Sequence, residues 1–122
     1  MEKKTVIVGS VPKPYRYAFK AAEMLEESDL DFVPLGIQQG QVKGKEILNL
    51  YDRPAIQDVH TITLYINPQR QKTWYDYLLS LNPQRIIFNP GTENQEFKIM
   101  AEERGIYCLE ACTLVMLSTG EY

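Results

Sequence analysis

The chain has 122 residues, 44% of them hydrophobic and 24% charged, which suits one cored domain, residues 1–122, and is too small for two. A formal net charge of −3 argues against a general nucleic-acid binder, because a phosphate backbone is held by clustered cations. No apolar run approaches the roughly 18 residues that span a bilayer, and Val6-Ile7-Val8 is too short for a signal peptide, so the expected location is the cytoplasm.

Taken in chain order, the first element is the run KTVIVGS, whose three consecutive β-favouring residues end at Gly9. An unbroken apolar run suits a strand covered on both faces. Tyr15, Ala18, Phe19, Ala22 and Leu25 then recur at helical spacing, which predicts a helix with one stripe on the sheet. DFVPLG is a second strand, although Pro34 cannot donate a ladder hydrogen bond. Residues 36–59, with Gly36, Gly40, Gly44 and Pro54, predict a long loop holding a short helical piece around residues 55–57.

TITLYI is the third strand, and Asn67 and Pro68 supply the N-cap and first residue of a helix. Trp74, Tyr77, Leu78 and Leu81 form its apolar stripe. RIIFN is the fourth strand, closed by Asn89-Pro90-Gly91. Thr92 and Gln95 have capping-box spacing for the next helix, which Phe97, Met100 and Ala101 continue and Gly105 stops. IYCLE is a fifth strand, and CTLVMLST a final short helix. The alternation predicts βαβ units and a five-stranded parallel sheet with right-handed crossovers.

With strand order 3-2-1-4-5, the strand ends Gly9-Ser10, Leu35-Gly36, Asn67-Pro68 and Asn89-Pro90-Gly91 converge on one edge, where open parallel sheets bind ligands. Gly9 permits close backbone approach, Ser10 offers a hydroxyl, and a helix N-terminus favours an anion. A dinucleotide fingerprint would continue with glycines at positions 11 and 14, where this chain has Val11 and Pro14. Pro12 and Pro14 remove two donors, for which Lys13 and Arg16 can compensate with charge. The end of strand two lacks the acid that holds an NAD ribose, while Lys43 and Lys45 follow it, which suits a phosphorylated ribose as in NADP or coenzyme A.

Groups for catalysis are scarce. His60 starts a strand, away from the ligand edge, and Cys108 and Cys112 cannot complete a four-ligand zinc site. Cys112 stands at the start of the last helix, where a small core residue is the simpler account. Trp74, Tyr75 and Tyr77 suit helix packing, and Tyr65, ending strand three, is placed to line an adenine pocket.

The stretches VIVGSVPKPYRYAFKAAEML, FVPLG with VKGKEI, TITLYINP, RIIFNPGTEN and GIYCLEACTLVML together resemble the stand-alone CoA-binding-domain proteins. Those are relatives of the N-terminal domain of the succinyl-CoA synthetase alpha subunit. The resemblance, from about residue 4 to 119, implies a three-layer α/β/α Rossmann-like domain that binds CoA or an acyl-CoA. It implies that the loop carrying Gly9, Ser10, Val11, Pro12 and Arg16 receives the CoA phosphates. Gly36 to Lys43 would lie near the adenosine and its 3′-phosphate, and Tyr65, Ile66 and Asn67 would border the nucleotide. The turn of Asn89, Pro90 and Gly91 would face the pantetheine. The ligase chemistry of the larger relatives does not carry over, because their second domain and its phosphorylated histidine have no counterpart. An NADP-linked oxidoreductase on the same edge and an interaction module that has lost its ligand stand as alternatives. The partner expected is a small nucleotide ligand, not nucleic acid or a membrane; a homodimer or a partner enzyme stays open.

Overall fold

A computed structural model describes residues 3–122 of the protein. The chain runs β1 (Thr5–Val8), α1 (Tyr17–Glu27), β2 (Phe32–Gly36), a hairpin of β3 (Gln41–Val42) and β4 (Lys45–Glu46), and β5 (Leu48–Asn49). A 3₁₀ turn (Leu50–Asp52) leads to β6 (Thr61–Leu64), α2 (Pro68–Gln71), a second 3₁₀ turn (Lys72–Trp74) and α3 (Tyr75–Ser80). Then come β7 (Arg85–Phe88), α4 (Gln95–Glu102), β8 (Tyr107–Glu110) and α5 (Thr113–Thr119).

The main sheet is parallel throughout, as expected, but it has six strands in the order β5-β2-β1-β6-β7-β8 rather than five in the order 3-2-1-4-5. The difference arises at β5, which is two residues long and pairs Leu35 with Leu48 and Gly36 with Asn49. A strand that short has no periodicity to detect. It takes the edge beyond β2, so TITLYI pairs directly with β1, Thr5 opposite Thr61 and Val8 opposite Leu64. The chain steps outward from β1 through β2 to β5, then crosses to β6 on the other side. That reversal is a topological switch point between β1 and β6.

Successive residues of a strand point to opposite faces, and β1 shows both faces covered. Val6 and Val8 join Leu35, Ile62, Leu64, Ile86 and Phe88 in a core closed by Trp74, Leu78 and Phe97. Ile7 points the other way with Phe32, against Ala18, Ala22 and Leu25 of α1. The result is three layers, with α1 and α5 in contact on one side and α3 and α4 on the other. Small side chains at Ala18, Ala21 and Ala22 let α1 lie close to the sheet. Each fully buried Leu or Ile contributes roughly 1.5–3 kcal/mol.

Three local expectations differ. Helix α1 begins at Tyr17 rather than near Tyr15, which is 69% exposed, because Pro14 and Tyr15 form the middle of a turn closed by the Arg16 N–H on the Lys13 carbonyl. The helical piece expected at 55–57 stands earlier, at Leu50–Asp52, where the Asn49 side chain accepts the Tyr51 N–H at 2.8 Å. Pro54 then bars Arg53 from the right-handed region, and Arg53 takes φ 43°. Asn94, not Thr92, caps α4 by accepting the Phe97 N–H at 3.1 Å, while the Thr92 hydroxyl closes the preceding turn on the Asn89 carbonyl. Asn67 caps α2 and Pro68 begins it, as expected.

Gly36 is constrained by sterics rather than by φ. A Cβ there would stand 2.4 Å from the Ser10 carbonyl oxygen, a main-chain atom that cannot swing away. Gly36→Ala is expected to lower stability by about 2 kcal/mol, the cost of overpacking. Urea denaturation of the purified variant measures this directly, and an unchanged midpoint would contradict it.

Candidate functional site

Above the carboxyl ends of β1, β2 and β6 lies a cleft of about 690 Å³. Its floor is main chain. The N–H groups of Gly9 and Ser10 both donate to the Leu35 carbonyl, at 2.9 and 3.1 Å, so the chain leaving β1 crosses the end of β2. Gly9 has φ +100°, and a Cβ on it would meet Ile66 Cγ2 at 2.9 Å and the Tyr65 carbonyl at 3.1 Å. Only glycine makes this turn at this separation.

One wall is the loop into α1, with Val11 and Arg16. Arg16 is the N-cap of α1 but contributes no side-chain bond. The first-turn N–H groups of Tyr17 and Ala18 therefore have no acceptor among the described residues. The facing wall holds Leu50, Tyr51, Arg70, Thr73 and Trp74, and the far end is Pro90, Gly91 and Thr92. No Asp or Glu lines the cleft, and the ion pairs found among the described residues, Lys43 with Glu26 and Lys45 with Asp31, lie elsewhere. Arg16 and Arg70 thus make a locally cationic cleft on an anionic protein.

Of the residues singled out in the sequence, Gly9, Ser10, Val11, Arg16, Gly36, Tyr65, Asn67, Pro90 and Gly91 all border this cleft. Three do not. Pro12 packs on Gly40, so closely that a Cβ on Gly40 would stand 2.6 Å from the proline ring. Lys43 turns to Glu26, with Nζ 3.6 Å from the carboxylate. Asn89 is buried beneath the site, donating to Thr63 Oγ1 and the Leu64 carbonyl and accepting the Thr113 N–H at 2.8 Å. Ser10 borders the cleft with its hydroxyl proton already given to the Ile7 carbonyl at 2.9 Å. Burial pushes the Tyr65 hydroxyl up to about 12, so it is neutral.

Ile37 and Gln38, inside the stretch expected near the adenosine, also line the cleft; the sequence reading misses Leu50, Tyr51, Arg70 and Thr73, and assigns Trp74 to packing alone. Arg70 had a signal, since it stands three residues after the Asn67 cap and donates its N–H to Asn67 Oδ1 at 2.9 Å. Tyr51 had none, because it reaches the site through a contact with Trp74.

The remaining reactive groups lie outside the cleft. Burial pushes the Cys108 thiol up to about 11, which keeps it protonated, and Cys112 is half-buried at the N-cap of α5. No group of three potential metal ligands exists among the described residues, nor is any of their helices long and apolar enough to cross a membrane.

The comparisons with known proteins agree with this architecture. A family model described as CoA binding domain matches residues 3–118. The chain belongs to the CoA binding domain family. A crystal structure of an uncharacterized protein is 51% identical, with TM-score 0.96 over 100% of this chain and 99% of that one. Two more distant structures share the fold. A hypothetical protein from Pyrococcus horikoshii OT3 is 22% identical, TM-score 0.83, covering 97% of this chain and 83% of its own. The cell-free ID.343 protein from Thermus thermophilus is 19% identical, TM-score 0.84, covering 99% and 91%. Among curated proteins no significant match was found.

His60 lies at the opposite, amino end of the sheet, in a second cavity with Lys3, Leu81 and Gln84. Burial, with the Arg85 and Lys3 charges, holds its imidazole below the ordinary 6.5. The unfolded chain therefore binds this proton first as pH falls, so stability drops below about pH 6.5 and is unaffected above it. An NMR titration is expected to place the His60 midpoint under 6.5, and His60→Gln to flatten the stability profile just below that pH.

Proposed function

We propose that the protein binds coenzyme A or an acyl-CoA in the cleft at the carboxyl edge of the sheet and performs no chemistry on it. The observation that carries this reading is the cleft's charge: Arg16 and Arg70 face it, and no carboxylate lines it. Membership of the CoA binding domain family supplies the ligand class.

A helix N-terminus with free N–H groups, next to a guanidinium, suits a diphosphate. The nucleotide then extends over Gly36 and Gln38 at the end of β2, where no acid stands to hold a free ribose diol. The pantetheine arm runs past Ile66 and Asn67 toward Pro90 and Gly91. The volume falls within the roughly 300–1,000 Å³ typical of cofactor sites. The lining supports binding without catalysis, since it has no histidine, cysteine or carboxylate to exchange protons near neutral pH.

Isothermal titration with CoA tests the reading, and no heat at millimolar CoA would overturn it. Arg16→Gln is expected to weaken binding about tenfold, the worth of one charge-assisted hydrogen bond. Lys43→Gln is expected to change affinity by less than about twofold, because Lys43 is engaged with a surface carboxylate.

A further inference from the structure

We infer that Tyr51 and Gln38 form the platform that holds the adenine of the bound nucleotide, Tyr51 by stacking and Gln38 by hydrogen bonds to the base edge. This rests on the CoA reading, in which the stretch from Gly36 to Lys43 lies near the adenosine, and it assigns the two side chains that hold the base.

Tyr51 is a large aromatic side chain that lines the cleft yet is 66% exposed. It is not loose. Its N–H is held by Asn49 Oδ1, and its ring meets Trp74 at 5.2 Å between centroids and 77° between planes. Trp74 is buried and carries the Arg53 guanidinium 5.1 Å from its ring centroid. An aromatic ring propped in this way has little rotamer freedom left to lose, so ordering it on a ligand costs little. Trp74 is the one ring found against Tyr51 among the described residues, which leaves most of the Tyr51 ring open to a stacking base.

The register of the sheet adds the second member. Gly36 pairs with Asn49 in the parallel ladder between β2 and β5. Two residues beyond that pair stand Gln38 on one chain segment and Tyr51 on the other, both on the cleft. A glutamine amide offers a donor and an acceptor together, the combination that matches the adenine edge.

Tyr65, the alternative aromatic, fits the role less well. Its hydroxyl end is buried toward the α1 and α5 side of the sheet, against the core around Ile7 and Leu25. Tyr51 stands with Trp74 on the opposite wall from Arg16 and the start of α1. A nucleotide laid across the cleft therefore meets a stacking surface at one side and the anion-binding turn at the other.

Trp74 is the only tryptophan, so its fluorescence reports this wall alone. CoA and adenosine 3′,5′-bisphosphate are both expected to alter Trp74 emission saturably. Tyr51→Leu is expected to weaken both about tenfold, the scale of one lost base stack, and Tyr51→Phe to stay within about twofold because the ring is kept. Gln38→Leu is expected to weaken both ligands several-fold. Tyr51 is exposed, and thermal melts of the variants are expected to match the wild type. Tight CoA binding that Tyr51→Leu leaves unchanged would overturn the platform while keeping the CoA site. Failure of the wild type to bind CoA at all would overturn both.

Discussion

The Leu35 carbonyl accepts two N–H groups, from Gly9 and Ser10, and this pair of bonds carries the chain over the end of β2 as it leaves β1. Much else about the site follows from that crossing. It brings the Ser10 carbonyl to where a Gly36 side chain would be, so β2 ends in glycine. It presses Gly9 against Tyr65 and Ile66 at the end of β6, so the floor spans the switch point as bare backbone. It also sets the direction in which the loop leaves for α1, and so where the helix N-terminus faces. The Ser10 hydroxyl bond to Ile7 locks the same turn from within.

This arrangement resolves what the two prolines do. In a glycine-rich phosphate loop, successive main-chain N–H groups do the binding. Here Pro12 and Pro14 delete two of them, and the Gly9 and Ser10 groups are spent on Leu35. What is left to face an anion is the first turn of α1 and the charge on Arg16, with Arg70 across the cleft. Pro12 gives stiffness in return, since its ring seats on Gly40 and ties the loop to the segment before the β3–β4 hairpin. The Gly40 carbonyl accepts the Ile47 N–H at 2.9 Å, and β4 is anchored in turn, because Lys45 reaches Asp31 and the Phe32 carbonyl, both at 2.8 Å. The loop trades donors for rigidity.

How much of this was legible in the sequence depends on which physical signal each part emits. β1, β6 and β7 are covered on both faces; β1 and β7 print as apolar runs and β6 as a run of β-branched residues ending in Leu64, so they were plain. Pro34 did not break β2, since β5 pairs only from Leu35 onward and the edge of β2 at Pro34 is open. The two-residue β5 emits nothing, and the neighbour order was lost with it. In the site, turn residues such as Gly9, Gly36 and Gly91 were legible because they mark strand ends. Tyr51 and Trp74 were not, for they are 23 positions apart and only the packed fold brings their rings together. Lys43 misled in the opposite way. It sits at the right place in the chain, but a carboxylate on α1 claims it.

The far end of the cleft shows why buried amides recur around a mostly backbone site. Gln71 is fully buried, yet it donates to the carbonyls of Ile66 and Thr92 at 2.9 and 2.8 Å and accepts from Asn94. Asn94 continues to the Tyr75 hydroxyl, which donates to Glu96. Asn89 does the equivalent under the floor, joining β6, the turn after β7 and the start of α5. Each carbonyl so held would otherwise be a desolvated group without a partner, costing about 1–3 kcal/mol. A single amide side chain satisfies two main-chain groups from different segments, and so fixes their separation as well as their hydrogen bonding. Loops that end strands have no ladder to hold them. In this fold the ladder's role passes to Gln71, Asn89 and Asn94, and the cleft keeps its width between β1 and the Pro90 turn because those three side chains stay buried and fully bonded.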